Sequence, residues 1–175
     1  AMLVGHLHPK IIKRVKKALR STGTLFVTPS PDATDVAERF KARFGLDMLR
    51  FTNSGTESTM YAIRTARAVK QKNGVIKIEG GYHGGYDPLQ VSVKPDLKDI
   101  GSPDYPTAHV PPEVEAGDVY VVPYNNLERL EEIMKDHGHN IACFMIEPVI
   151  ENHSIILPDA GYLQSVRDPS DEFGI

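Results

Sequence analysis

Residues 51–58, Phe-Thr-Asn-Ser-Gly-Thr-Glu-Ser, carry the clearest chemical pattern in the chain. A short apolar segment, Met48 to Phe51, runs into a small, hydroxyl-rich turn, and a helix-forming stretch from Ser58 to Lys72 follows at once. That order puts free backbone N–H groups of a helix N-terminus beside Ser54, Gly55 and Thr56, where an anion such as a phosphate would be held. The ordinary alternative for Ser-Gly-Thr before a helix is a capping turn without a ligand. A second cluster is Glu79-Gly80-Gly81-Tyr82-His83-Gly84-Gly85. Its flexible backbone would let Tyr82 lie flat against an aromatic ligand, or else it is only a tight loop with Tyr82 and His83 on the surface. The third cluster is Glu147-Pro148-Val149-Ile150-Glu151-Asn152. Glu147 there either marks where proline ends a strand or stands in a position suited to catalysis, and Asn152 alone is an ordinary loop residue.

The elements that would position these clusters follow from periodicity. Pro9 to Leu19 carries Ile11, Ile12, Val15 and Leu19 at helical spacing, with Lys and Arg on the other face. Asp32 or Thr34 is expected to cap a helix that runs through Phe44 and ends at Gly45. Leu46–Phe51, Gly74–Ile78, Val119–Val122 and Ile141–Ile146 read as strands. Ser58–Lys72, Leu127–Lys135 and the stretch from Gly161 to Val166 read as helices. Tyr86 to Ala116 is rich in proline and reads as a long excursion over the surface. Strands that alternate with helices imply an α/β fold with parallel pairing. Ligands in such sheets sit at the carboxyl ends of the strands, so the three clusters would converge on one edge.

Composition narrows the function classes. A chain of 175 residues is long enough for a real core, and its net charge of −3 gives no electrostatic case for nucleic acid as the main partner. No apolar run approaches the ~20 residues that span a bilayer. The first residues lack the pattern of a signal peptide, and the single Cys143 permits no intrachain disulfide, so a cytoplasmic location is expected. His6 and His8 form one close pair and His137 and His139 another, but neither has partners at metal-ligand spacing, so no metal site is expected. The frames of a nucleophile elbow, a Walker phosphate loop and a dinucleotide-binding glycine motif are all missing.

Taken as an ordered set, the motifs carry a resemblance. Gly5-His6-Leu7-His8-Pro9, Asn53-Ser54-Gly55-Thr56-Glu57, Gly81-Tyr82-His83-Gly84 and Ile146-Glu147-Pro148-Val149 resemble successive motifs of the class III pyridoxal-phosphate aminotransferases. Ala62-Ile63-Arg64 with Ala66-Arg67, and Val122-Pro123-Tyr124-Asn125, also find counterparts, and the closest look is to the glutamate-1-semialdehyde aminomutase branch. The resemblance runs from about Gly5 to Gly174. It implies a partial three-layer α/β/α large domain of a fold type I enzyme with a mostly parallel sheet. The implied division is an N-terminal helical segment, residues 1–24, and an incomplete cofactor-binding domain, residues 25–175.

Site roles are implied residue by residue. Ser54, Gly55 and Thr56 would hold the phosphate of pyridoxal 5'-phosphate, and Tyr82 would stack on its ring with His83 beside it. Glu147 would lie near the ring hydroxyl, and Asn152 near cofactor and substrate. An amide at Asn152 is similar to the aminomutase branch, whereas Glu151 departs from the small residue usual there. The implied substrate is a small amino acid or amino aldehyde. The implied assembly is a homodimer in which the Thr24–Pro31 connector approaches the cofactor. A β-amino-acid aminotransferase, an amino-acid racemase and a non-catalytic phosphate-binding remnant are the competing readings. In the family, the aspartate that pairs with the pyridinium nitrogen and the Schiff-base lysine come later than any motif matched here. The chain is therefore expected to be part of a longer enzyme and unable to transaminate alone.

Overall fold

The computed structural model describes residues 3–24, 28–152 and 154–175. Two compact units divide the chain, residues 1–50 and residues 51–175. Of the Thr24–Pro31 connector, Leu25, Phe26 and Val27 lie outside the described residues.

The first unit holds two helices, α1 (Pro9–Ser21) and α2 (Pro31–Phe44). Each begins with a proline at its first position, where the missing N–H costs nothing and the fixed φ suits a helix. That proline also moves the start of α2. Ser30, not Asp32 or Thr34, occupies the N-cap position, and its carbonyl accepts the Thr34 N–H at 3.0 Å. Gly45 ends α2 as its sequence suggests, with a φ of +64°. An Arg14–Asp32 ion pair joins the two helices.

The second unit is built on three parallel strands, β1 (Gly74–Ile78), β2 (Val119–Val122) and β3 (Ile141–Met145), in the order β2-β1-β3. The β1–β2 register pairs Val75 with Val119 and Ile78 with Val122. All five residues of β1 are buried, as a central parallel strand covered on both faces must be. On one face Ile76, Ile78 and Val122 pack against Leu130, Ile133 and Met134 of α5 (Leu127–His137) and Val166 of α6 (Tyr162–Glu172). On the other, Val75 packs with Ile63 of α3 (Gly55–Lys70) and Leu89 of the short α4 (Asp87–Gln90). Helix, sheet and helix form the three-layer α/β/α arrangement, and each large aliphatic side chain buried between layers contributes about 1.5–3 kcal/mol. Among the described residues no helix is long and apolar enough to cross a membrane.

Two sequence expectations are corrected. Leu46–Phe51 forms no strand: it has no ladder partner, and Met48 and Phe51 are exposed. The segment from Tyr86 to Ala116 is not all surface. Leu89, Val91 and Ser92 are fully buried, and Ser92 accepts the Gly80 N–H and donates its own N–H to the His109 carbonyl, both at 2.8 Å. Smaller shifts are that α3 begins at Gly55 rather than Ser58 and that α5 extends to His137.

Candidate functional site

Helix α3 starts inside the hydroxyl-rich turn. Ser54 is its N-cap: the Ser54 Oγ accepts the Glu57 N–H at 3.1 Å, and its carbonyl accepts the Ser58 N–H at 3.1 Å. The Glu57 carboxylate reaches back past the N-cap residue and accepts the Asn53 N–H at 2.8 Å. The Ser54-x-x-Glu57 spacing was a sequence signal for this start. Capping consumes the Glu57 and Ser58 donors and leaves the Gly55 and Thr56 N–H groups without a partner among the described residues. They remain available at the positive end of the helix dipole. No atom lies within 4 Å of where a Cβ on Gly55 would be, so the approach to these donors is open.

The loop after β1 is docked on that same helix turn. Gly84, at a φ of +90°, passes so close to α3 that a Cβ there would lie 2.8 Å from the Thr56 Cα. The Gly85 N–H donates to Thr56 Oγ1 at 3.1 Å, and Thr59 Oγ1 donates to the His83 carbonyl at 2.8 Å. On its other side the loop is tied to the end of β3. The Tyr82 N–H donates to Glu147 Oε1 at 3.0 Å, and the Glu151 N–H donates to Glu147 Oε2 at 3.3 Å. Tyr124, just past β2, donates its hydroxyl to the Pro148 carbonyl at 2.8 Å. The carboxyl ends of all three strands thus meet.

Thr56, Tyr82, His83 and Glu147 are brought together by these bonds. Tyr82 is half exposed, whereas His83 is buried, and its Nε2 has no hydrogen-bond partner among the described residues. Burial pushes the His83 imidazole below its ordinary range, the Lys77 cation adds to that, and Glu147 opposes it. Asn152 stands apart. It is exposed beyond the Ile150–Ile156 bridge, and among the described residues no hydrogen bond ties its side chain to the others.

Lys77 is the residue that sequence reasoning passed over. It lies in the apolar run of β1, fully buried, with its Nζ donating to the Val91 carbonyl. Burial brings its pKa down to about 8 against the opposing pull of Glu79 and Glu147. Helix-start donors, a flat phenol, a half-buried carboxylate and a buried imidazole form a set of groups suited to a phosphorylated aromatic ligand.

Similarity to known proteins agrees with that chemistry. The profile of the aminotransferase class-III family matches residues 1–175. The glutamate-1-semialdehyde 2,1-aminomutase of Ignicoccus hospitalis is 37% identical over 174 residues, covering 99% of this chain and 40% of its own length. That of Thermomicrobium roseum is 38% identical over 175 residues, again 99% and 40%. Among solved structures, an omega-transaminase from Sphaerobacter thermophilus aligns with a TM-score of 0.89 at 30% identity, over 98% of this chain and 40% of that one. A transaminase with PLP bound aligns with a TM-score of 0.85 at 31% identity, over 97% and 39%. The chain thus spans about 40% of the length of the curated relatives it matches.

Proposed function

We propose, from the premise that this chain belongs to the class-III aminotransferase family, that its second unit builds the phosphate and ring end of a pyridoxal 5'-phosphate site. The enzyme served would be an aminotransferase or aminomutase acting on a small amino acid or amino aldehyde. One observation carries the reading: two open N–H donors at the start of α3 are locked, through Thr56, to the loop that presents Tyr82.

The residues fit the group. Gly55 and Thr56 would give their N–H groups to the phosphate, and the Ser54 and Thr56 hydroxyl protons would add to that cradle, since both oxygens serve as acceptors in the bonds described above. The Tyr82 ring would form one wall for the pyridine. When bound, pyridoxal phosphate supplies an electron sink for the carbon that bears the substrate's amine. Glu147 holds the Tyr82 backbone through its carboxylate and so orients the wall. His83, kept neutral by burial, would offer an uncharged ring nitrogen beside it. Asn152 would contact cofactor and substrate from the loop that follows β3. In this reading residues 25–175 belong to the cofactor-binding domain, residues 1–24 to a helical segment, and the working enzyme is a homodimer. The lysine that anchors the cofactor in this family has no counterpart among these 175 residues, so the activity is that of the whole protein.

Adding pyridoxal phosphate to the full-length protein should produce a visible absorption band that borohydride abolishes and that inorganic phosphate competes against. Full-length protein that shows no band with excess cofactor would sink the reading. Light scattering tests the dimer, and a monomeric mass would count against it.

A further inference from the structure

Lys77 occupies the middle of the central strand, with none of its surface exposed. Strand alternation places it on the same face as Val75, which packs with Ile63 and Leu89. An apolar side chain of similar length would suit that layer, and exchanges of buried charges for apolar groups are often neutral or stabilising. The core gains nothing from the ammonium.

Three connections lead from it to the site. Its Nζ donates to the Val91 carbonyl, while the neighbouring Ser92 carbonyl accepts the Gly80 N–H, so the segment 80–91, which carries the Tyr82–Gly85 loop and α4, is closed back onto the end of β1. Glu147, whose carboxylate accepts the Tyr82 N–H, favours the charged form of Lys77. The Lys77 charge acts in turn on the His83 ring.

We propose that Lys77 is a positioning residue of this site, its buried ammonium bracing the Tyr82–Gly85 loop and Glu147 in the arrangement that receives the cofactor ring. This deepens the pyridoxal-phosphate reading and rests on it. Glu79 at the end of β1, Glu147 after β3 and His83 in the loop are electrostatically linked to Lys77, and Cys143 and Tyr86 pack in the layer beside Val75. Burial pushes the Cys143 thiol up, so it stays protonated. Arg67 of α3 donates to the Asn73 carbonyl at 2.9 Å and reaches the Tyr86 hydroxyl at 3.5 Å, and its charge acts on Cys143.

The test is Lys77→Met in the full-length protein, read by pyridoxal-phosphate titration and by NMR titration of His83 labelled on its ring. With the cation gone, His83 should titrate at a higher pH than in the wild type. The cofactor dissociation constant at neutral pH should rise about tenfold, with no loss of melting temperature. If Lys77→Met does not fold, Lys77→Gln removes the same charge while keeping a donor for Val91, and the same His83 shift is expected. An unshifted His83 titration in either folded variant overturns the proposal, as does unchanged cofactor affinity. Wild-type protein that binds no cofactor would instead overturn the functional reading, and the His83 titration alone would then decide the role of Lys77.

Discussion

Gly84 and Gly85 are neighbours of the same type, yet alanine should act on them in opposite ways. At Gly84 the backbone φ is +90°, a region that costs an L-residue about 1–2 kcal/mol. An added Cβ would also meet the Thr56 Cα at 2.8 Å and the Thr56 Cβ at 3.0 Å, against helix backbone that cannot swing aside. Relief requires the loop to lift off α3. Lifting breaks the Gly85-to-Thr56 and Thr59-to-His83 hydrogen bonds, worth about 1 kcal/mol each. Strain and lost bonds together come to about 3–4 kcal/mol. At Gly85 a Cβ meets nothing within 4 Å and the φ is not positive, so Gly85→Ala should change stability by less than about 0.5 kcal/mol. With about 2–4 °C per kcal/mol for a domain of this size, Gly84→Ala should melt roughly 10 °C lower while Gly85→Ala overlays the wild type. Cofactor affinity should fall in the same order, because the loop carries Tyr82 and His83. Scanning calorimetry and cofactor titration on the pair check both statements. A Gly84→Ala protein as stable as Gly85→Ala would mean that the loop does not rest on Thr56 and that the site geometry is wrong.

Replacing Tyr82 with leucine removes a stacking wall worth about 0.5–1.5 kcal/mol, so the cofactor dissociation constant should rise several-fold while Tyr82→Phe stays near the wild type; equal constants for all three would place the ring off the ligand. Lys77 makes stability depend on pH with a defined sign. Its folded pKa of about 8 lies below the ordinary 10.5, so between those values the unfolded chain holds more protons, and its contribution to stability grows as pH rises. Below that window the residue carries a constant penalty of about 3 kcal/mol. Denaturant titrations across the window should show an alkaline gain in the wild type that is missing in Lys77→Met, and parallel curves would refute the assignment. His83, depressed by burial, acts in the acid range: its contribution is intact above the ordinary histidine pKa and is lost as pH falls below it.

The sequence revealed those parts of the molecule in which one local rule was enough. Gly74–Ile78 and Val119–Val122 read as strands because short apolar runs between turn residues have few other fates, and Gly45 read as a helix stop because its left-handed φ suits glycine. Leu46–Phe51 has the same apolar character, but a strand needs a partner edge, and composition does not reveal whether one is present. The prolines between Tyr86 and Ala116 suggested a surface excursion without regular elements. They marked neither exposure nor a full lack of regular structure, because the short α4 lies among them and Leu89 and Val91 are drawn into the core beside the sheet. Of the candidate site, the order of motifs pointed to Ser54–Thr56, Tyr82, His83, Glu147 and Asn152, while nothing in Gly-Val-Ile-Lys-Ile set Lys77 apart. Only pairing on both sides of β1 shows that its lysine has no route to water.

The opening turn of α3 resolves a competition that its sequence left open. A helix start must satisfy its free donors, and an anion site needs some of them unsatisfied. Here the two demands fall on different residues. Ser54 and Glu57 take the donors of Glu57, Ser58 and Asn53, which fixes where the helix begins and how its axis points. Among the described residues the donors of Gly55 and Thr56 are left over with that of Ser54, and the absence of a side chain on Gly55 keeps their approach clear. Thr56 then gives its hydroxyl oxygen to the loop after β1, so the direction of the open donors and the position of Tyr82 are set by one residue. Capping and anion binding are therefore not rival readings of Ser-Gly-Thr: the cap makes the cradle rigid, and a rigid cradle loses less entropy when an anion enters it.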